Sequence, residues 1–383
     1  MKIVSVEAVP FRLPVRRDFK WAGLNETLGG FVLVRIRTDE GIVGYGEATP
    51  LPDWGGDFGR RGGETRAGVI ALIETVLAPR LIGLDPTAVT AARRAMDAVV
   101  AGNGYAKCAI DIALHDIWGK AAGLPIYKLL GGRCRDAVAV AHMVGLMDDD
   151  QAAAEAAGAV ADGLTALQIK GGVDADRDVR LIARLRRELG AGVNLRLDAN
   201  QGYRAAKSAA NTVARLKDAG ADCVEQPAIG WAAMAAVTAS TSLPIIADES
   251  CWDEHDALEV ASGRSADWLS IYLAKAGGFV GARKVAGIAE AALMACDVNG
   301  SIESAIGNAA NVHFALAMPS VTLASVIPIN APAGTHPCKV GGNYFLDDVC
   351  AAPFAVKDGA LLPLDAPGLG IEVDEAKLAR FRG

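Results

Sequence analysis

From residue 137 to residue 325 short apolar stretches alternate with helical ones, and this repeat restricts the fold more than any other feature of the chain. The apolar stretches are 137–143, 165–170, 193–198, 222–225, 244–247, 267–272, 295–300 and 321–325. Helical patterns at 150–161, 174–189, 204–219 and 279–292 lie between them. Strand–helix units repeated over about 200 residues favour a closed parallel (β/α) barrel. An open doubly wound sheet is the alternative. It would want a Gly-rich phosphate turn after its first strand, and His142 to Asp148 has none.

The residues before the repeat follow a different grammar. Ile3 to Pro14 alternates, Gly30 to Thr38 is rich in Val, Leu and Ile, and Ile42 to Glu47 follows an Asp39-Glu40-Gly41 turn, so three strands are expected. Residues 65–122 read as helices; Ile110, Ala113, Leu114 and Ile117 keep helical spacing, and Gly123-Leu124-Pro125 ends the run. Strands followed by helices suggest a small α+β domain. At 383 residues the chain exceeds one ordinary compact domain. The expected organisation is an N-terminal α+β cap over 1–130, a barrel over 131–340, and a strand- and loop-like segment over 341–383 packing back on the cap.

Composition excludes several classes. Charged residues are 22% and the formal net charge is −7, with no Lys/Arg-rich run, so no nucleic-acid partner is expected. The seven cysteines are odd in number and form no C-x-x-C pair, which argues against a disulfide framework or zinc ribbon and makes a reducing cytoplasm the default. The N-terminus opens directly into a strand, and no apolar run of membrane-spanning length follows. No membrane partner is expected.

Chemistry in a parallel barrel sits at the C-terminal strand ends. Here the second such end is Gln168-Ile169-Lys170, the third Asp198-Ala199-Asn200, the fourth Glu225-Gln226-Pro227 and the fifth Asp248-Glu249-Ser250. Strand pleating turns Leu195 and Leu197 toward the helices and Asp198 toward the barrel mouth; Asp248 follows Ile246 in the same way. Three carboxylates converging without a cation would repel and shift their pKa values. A divalent ion resolves that conflict, and all-oxygen ligation suits Mg²⁺. Singly, each acid also reads as a polar strand-end residue capping a helix.

These residues carry a resemblance. Lys170, Asp198-Ala199-Asn200, Glu225-Gln226-Pro227, Asp248-Glu249-Ser250 and Gly277-Gly278, with Gly44-Tyr45-Gly46-Glu47 and the run Ala109 to Lys120, resemble the enolase superfamily, muconate-lactonizing and mandelate racemase family, over nearly the whole chain. The resemblance implies an α/β fold, a (β/α)7β TIM-like barrel under an N-terminal α+β capping domain. It further implies Mg²⁺, or Mn²⁺, on Asp198, Glu225 and Asp248, and a homo-oligomer. Lys170 would take the α-proton of a small carboxylate substrate, and the ion would stabilise the resulting enediolate. A nearby cation would lower the Lys170 pKa toward neutrality. The alternative for Lys170 is an ion-pair partner for Asp198 or Glu225.

Two positions depart from the family pattern. Its Lys-x-Lys on strand two is Gln168-x-Lys170 here, and Gln168 shares the inner face with Lys170. Aligned on Gly277-Gly278, the second catalytic lysine is Tyr272, while Lys275 matches a later basic residue; a shifted register would bring Lys275 into the site instead. No His ends strand seven. Gln168-x-Lys170 with Asn103 to Lys107 is similar to the proline-derivative branch, comprising hydroxyproline dehydratases and betaine epimerases. The reading that follows is dehydration of a hydroxylated cyclic amino acid such as cis-3-hydroxyproline, with an amino-acid or betaine racemase or epimerase, or a muconate-type cycloisomerase, as alternatives. A metal-binding scaffold without catalysis is the reading from another class. Cap loops at about 17–30 and 49–63 carry Trp21 and Trp54. With Trp252, Gln168, Asn200 and Glu303 they form the expected substrate contacts. The tryptophans equally read as closing the seam between cap and barrel.

Overall fold

The computed structural model describes residues 1–382. The N-terminal layer is an antiparallel sheet of β1 (Ile3–Arg12), β2 (Gly30–Thr38) and β3 (Val43–Ala48), in that order. Gly41, at φ +82°, makes the tight turn between β2 and β3. The helix Gly104–Ala122 lies against this sheet, and its approach explains the Gly44-x-Gly46 spacing: a Cβ at Gly46 would meet the Ala109 carbonyl, and one at Gly44 the Ala113 carbonyl. Val32, Val34, Ile36, Ala109, Ile110 and Ala113 share the resulting core.

After a short β4 (Val138–Ala139), seven parallel strands follow: β5 (Ala141–Val144), β6 (Ala166–Lys170), β7 (Asn194–Asp198), β8 (Cys223–Glu225), β9 (Ile245–Ala247), β10 (Trp268–Ile271) and β11 (Ala295–Val298). Each pairs with its sequence neighbour. Residues 321–326 bridge the two edges: Cys296 pairs with Val321, Val140 with Ser325, and the Val326 amide donates to the Val298 carbonyl. The sheet thus curls into the expected α/β TIM-like barrel. The expected eighth strand is reduced to these bridges.

The helices at Asp149–Ala161, Ala175–Leu189, Ala206–Ala219 and Phe279–Ala291 lie where the sequence pattern puts them. Those at Trp231–Ser240 and Glu254–Gly263 were not legible, because neither presents a clean apolar stripe. Ala305–Ala317 is buried throughout, so it has no polar face to reveal its period. The C-terminal residues touch both layers. β12 (Val356–Lys357) and β13 (Ala360–Leu361) form a small sheet with β4. The helix Glu375–Phe381 reaches the cap, where Glu375 accepts from Arg35 and Tyr45. No helix among the described residues is long and apolar enough to cross a membrane.

Candidate active site

Strand pleat and register place the chemistry. Leu195 and Leu197 face the helices, so Arg196 and Asp198 face inward; Lys170 pairs directly with Asp198, and Asp198 with Glu225. Asp198 and Glu225 are 0% exposed and Asp248 is 1% exposed. Burial first, then the charge of Glu225, pushes Asp198 up to about 7; burial also raises Asp248.

Their oxygens are taken by protein donors. Lys170 Nζ donates to Asp198 Oδ2 at 2.5 Å and to Asn200 Oδ1 at 3.3 Å. Gln168 Nε2 donates to Glu225 Oε2 at 2.8 Å and to Asp198 Oδ2 at 3.3 Å. Tyr272 Oη donates to Asp248 Oδ2 at 3.2 Å. Lys275 Nζ has three acceptors: Asp248 Oδ1 at 2.6 Å, the Asp248 carbonyl at 2.9 Å and the Ser270 carbonyl at 2.8 Å. The expected lowering of the Lys170 pKa belongs to the site with a cation bound; the protein's own groups act in the other direction. Burial does oppose its charge, but Asp198, Glu225 and Asp248 outweigh burial and raise it above the ordinary lysine value. Tyr272 is also pushed well above 10, by burial and then by the same carboxylates, so its hydroxyl keeps its proton.

Arg196 and Asp297 carry a part of the site that the strand-end reading missed. The Arg196 guanidinium bridges Asp297 and Glu225 beneath the strand ends, and all three side chains are buried. The available signal was an arginine alternating with leucines on an inward strand face. Gln226 follows Glu225 at the fourth strand end. Its Oε1 accepts from the Asp248 and Ser250 amides, and its Nε2 donates to Ser250 Oγ and the Ala228 carbonyl, tying two strand ends together. Gln226 sits at φ +38° and Asn200 at φ +41°, a left-handed backbone that such cross-strand bonds must hold.

Among the described residues no three carboxylate, imidazole or thiolate groups converge as they stand on one point that would hold a metal, because lysine, glutamine and tyrosine occupy the oxygens. The donor chemistry nevertheless fits a hard divalent ion. Asp198, Glu225, Asp248, Glu249 and Asp297 face only Lys170, Lys275 and Arg196, so as carboxylates they leave two negative charges uncompensated. Glu249 is 2% exposed, and its Oε2 has no hydrogen-bond partner.

A narrow cavity opens above these groups, lined by Gln168, Lys170, Asn200 and Tyr272 from the barrel and by Trp21, Leu51 and Trp54 from the cap. Lys170 Nζ lies 5.3 Å from the Trp21 ring centroid. Two expected contacts lie outside the lining. Trp252 is buried and stacks behind Trp54, with centroids 4.9 Å apart, so it closes the cap–barrel seam. Glu303 turns back to its own loop, accepting from the Ser301 amide, while Ser301 and Ile302 reach the cavity in its place. Lys275 lies below Tyr272, 4.3 Å from its ring centroid, and is not among the lining residues.

A parallel barrel with acids on successive strand ends, roofed by an α+β cap, defines an enzyme of the enolase kind. Comparison with known proteins narrows the class. The mandelate racemase / muconate lactonizing enzyme N-terminal domain matches residues 5–131, and the enolase C-terminal domain-like family matches residues 151–377. The chain belongs to the mandelate racemase / muconate lactonizing enzyme family of the enolase superfamily. It is 36% identical to the L-Ala-D/L-Glu epimerase of Bacillus subtilis over 84% of this chain and 87% of that one. It is 31% identical to muconate cycloisomerase 1 of Rhodococcus opacus over 98% and 96%. The crystal structure of the N-succinyl Arg/Lys racemase from Bacillus cereus superposes with a TM-score of 0.90 at 29% identity, covering 100% of this chain and 98% of that one. The chain is therefore an enzyme of an isomerase family whose members typically use a divalent metal. These most similar relatives are epimerases, racemases and cycloisomerases, and not the proline-derivative branch that the sequence suggested.

Proposed function

We propose that this enzyme is a Mg²⁺-dependent epimerase or racemase of a small carboxylate, with Lys170 taking the α-proton on one face and the Tyr272 hydroxyl serving the other. The observation that carries this reading is that an amine and a phenol, Lys170 at the end of β6 and Tyr272 just after β10, stand four strands apart around the barrel and both line the cavity. Asp198, Glu225 and Asp248 would hold the ion. When bound, it supplies Lewis-acid stabilisation of the charge that develops on the substrate carboxylate.

The protein's own contribution is proton handling and exclusion of water. Neutralising Asp198 removes the strongest attraction on the Lys170 ammonium and favours the free amine. Gln168, unlike a second lysine, adds no charge beside Lys170 and keeps Asp198 and Glu225 aligned through neutral hydrogen bonds. Trp21 and Trp54 cover the cavity from the cap. Lys170 is the only cationic residue in the lining, which favours a monocarboxylate over a diacid.

One observation favours a second reading. A phenol held well above 10 stays protonated at neutral pH, so it has a proton to give to a leaving hydroxyl but is not present as the phenolate that proton abstraction needs, which suits elimination of a β-hydroxyl, as in dehydration of cis-3-hydroxyproline, better than reversible proton transfer. Both readings meet in one experiment: incubation of each enantiomer of candidate amino acids and N-acyl amino acids with enzyme and Mg²⁺ in deuterium oxide. Deuterium at the α-carbon with inversion supports the epimerase. Loss of water supports the dehydratase. Absence of both exchange and turnover with every carboxylate, while Mg²⁺ binds, supports the scaffold and sinks the proposal.

A further inference from the structure

A second cavity, of about 250 Å³ and partly open to solvent, adjoins the chemical pocket at Leu51, which lines both. Its walls come from the end of the first cap loop, Glu26 to Gly30, and the start of the second, Thr49 to Pro52. Arg12 and Arg66 complete it. Gly30 brings the two guanidinium groups together. It pairs directly with Arg12 across β1 and β2, so Arg12 and the bare face of Gly30 lie on the same side of the sheet. Arg66 packs onto that bare face: a Cβ at Gly30 would sit 3.2 Å from Arg66 Nε.

Neither arginine forms an ion pair or a side-chain hydrogen bond among the described residues, and Arg66 feels Arg12 as an unfavourable like charge. The one acid in the cavity lining, Glu26, is exposed on the loop and attracts Arg66 through space without forming an ion pair with either arginine among the described residues. Arg12 is exposed and Arg66 half-buried, and two unpaired guanidinium groups lining one cavity suit an oxyanion, which can accept from both at once. The space exceeds what a bare inorganic ion fills, which favours an organic carboxylate or phosphate.

We propose that the Arg12–Arg66 cavity is an oxyanion-binding site, separate from the chemical pocket, whose occupant fastens both cap loops to the β1–β2 sheet. The site stands independently of which reaction the enzyme performs. Glu26 is the internal competitor for the arginines.

The test is calorimetry on the Mg²⁺-loaded full-length enzyme. Sulfate and malonate are titrated separately against chloride of equal ionic strength, so that tetrahedral and carboxylate anions are distinguished. Saturable one-to-one binding of at least one anion is expected. Arg12→Gln and Arg66→Gln should each weaken it about 10-fold or more, the loss of one charge-assisted hydrogen-bonding group, and Glu26→Gln should tighten it. The conservative Arg12→Lys and Arg66→Lys, with melting temperatures near wild type, separate lost binding from lost folding. Amide hydrogen exchange over 17–30 and 49–63 should slow when the anion is bound. No binding beyond chloride, or equal binding by the two glutamine variants, overturns the site; binding without slowed exchange overturns the loop-fastening role.

Discussion

The two sides of the chemical pocket each carry a lysine from a strand-end region, and the two lysines are held in opposite ways. Lys170 extends from β6 with two side-chain acceptors, Asp198 and Asn200, and its ammonium lines the cavity. Lys275 stands on the one-turn helix Leu273–Ala276 and folds beneath Tyr272 onto Asp248 and two main-chain carbonyls. A carboxylate can be neutralised by a metal or a proton, whereas a main-chain carbonyl cannot. The same side chain is thus releasable on one side and locked on the other. The phenol of Tyr272, not an amine, faces the cavity where the locked lysine lies.

The largest test of this contrast removes the releasable lysine. Lys170→Ala should lower kcat by about 10³-fold or more with the fold intact, the scale of a lost general base; steady-state kinetics alongside circular dichroism read it. Retained turnover would end the assignment of Lys170 as the base. Lys275→Ala should instead appear as instability, about 3–5 kcal/mol in urea unfolding, because it strands Asp248 in a buried site. If Lys275→Ala unfolds normally and loses only proton exchange, the two lysines have been assigned the wrong way round.

Tyr272→Phe keeps the ring stacked on Trp54, whose centroid lies 5.0 Å away, and removes only the hydroxyl. The epimerase reading expects about 10²-fold slower inversion, while α-deuterium exchange by Lys170 persists for one enantiomer. Exchange lost equally for both enantiomers would show that the hydroxyl acts through Asp248 and not on substrate.

The smallest effect concerns how the Lys170 side keeps its roof. Arg16 and Arg17, at the root of the loop bearing Trp21, bind Glu155, which His142 also bonds. Burial opposes the charge of Glu155, but His142 and Arg17 prevail and draw its pKa down to about 2. A carboxylate depressed in the folded state contributes its full stability above its ordinary value near 4.5 and loses it as pH falls toward 2. Glu155→Gln should cost about 2 kcal/mol at pH 7 after allowing for its partial exposure to solvent. The variant should also show a shallower fall of stability with acid, read by denaturant melts from pH 6 to 3. An unchanged acid slope would place the root of the loop elsewhere.

Much of this site was legible because a barrel strand has a local period. Asp198 follows two outward leucines, so its inward direction needed only the pleat. Gln168 and Lys170, two residues apart, shared a face for the same reason. Trp252 and Glu303 were less legible. Nothing in the residues near Trp252 shows that Trp54 of the cap takes the position over the pocket. Glu303 lies in a loop that folds back on itself beside Ile302, at φ +61°, and loop direction has no sequence period.

The sequence by itself determined the order of the strands, the acids at their ends and the family, because these depend on residues a few positions apart and on a chain order that a parallel barrel preserves. Only the tertiary structure decided the rest. It showed Lys275 spent on Asp248 and two carbonyls, Gln168 spanning two acids, Arg196 and Asp297 buried beneath them, and Arg12 meeting Arg66 over Gly30. Each of these depends on where a long side chain ends after elements far apart in sequence have packed, and on which charges burial then forces to find partners.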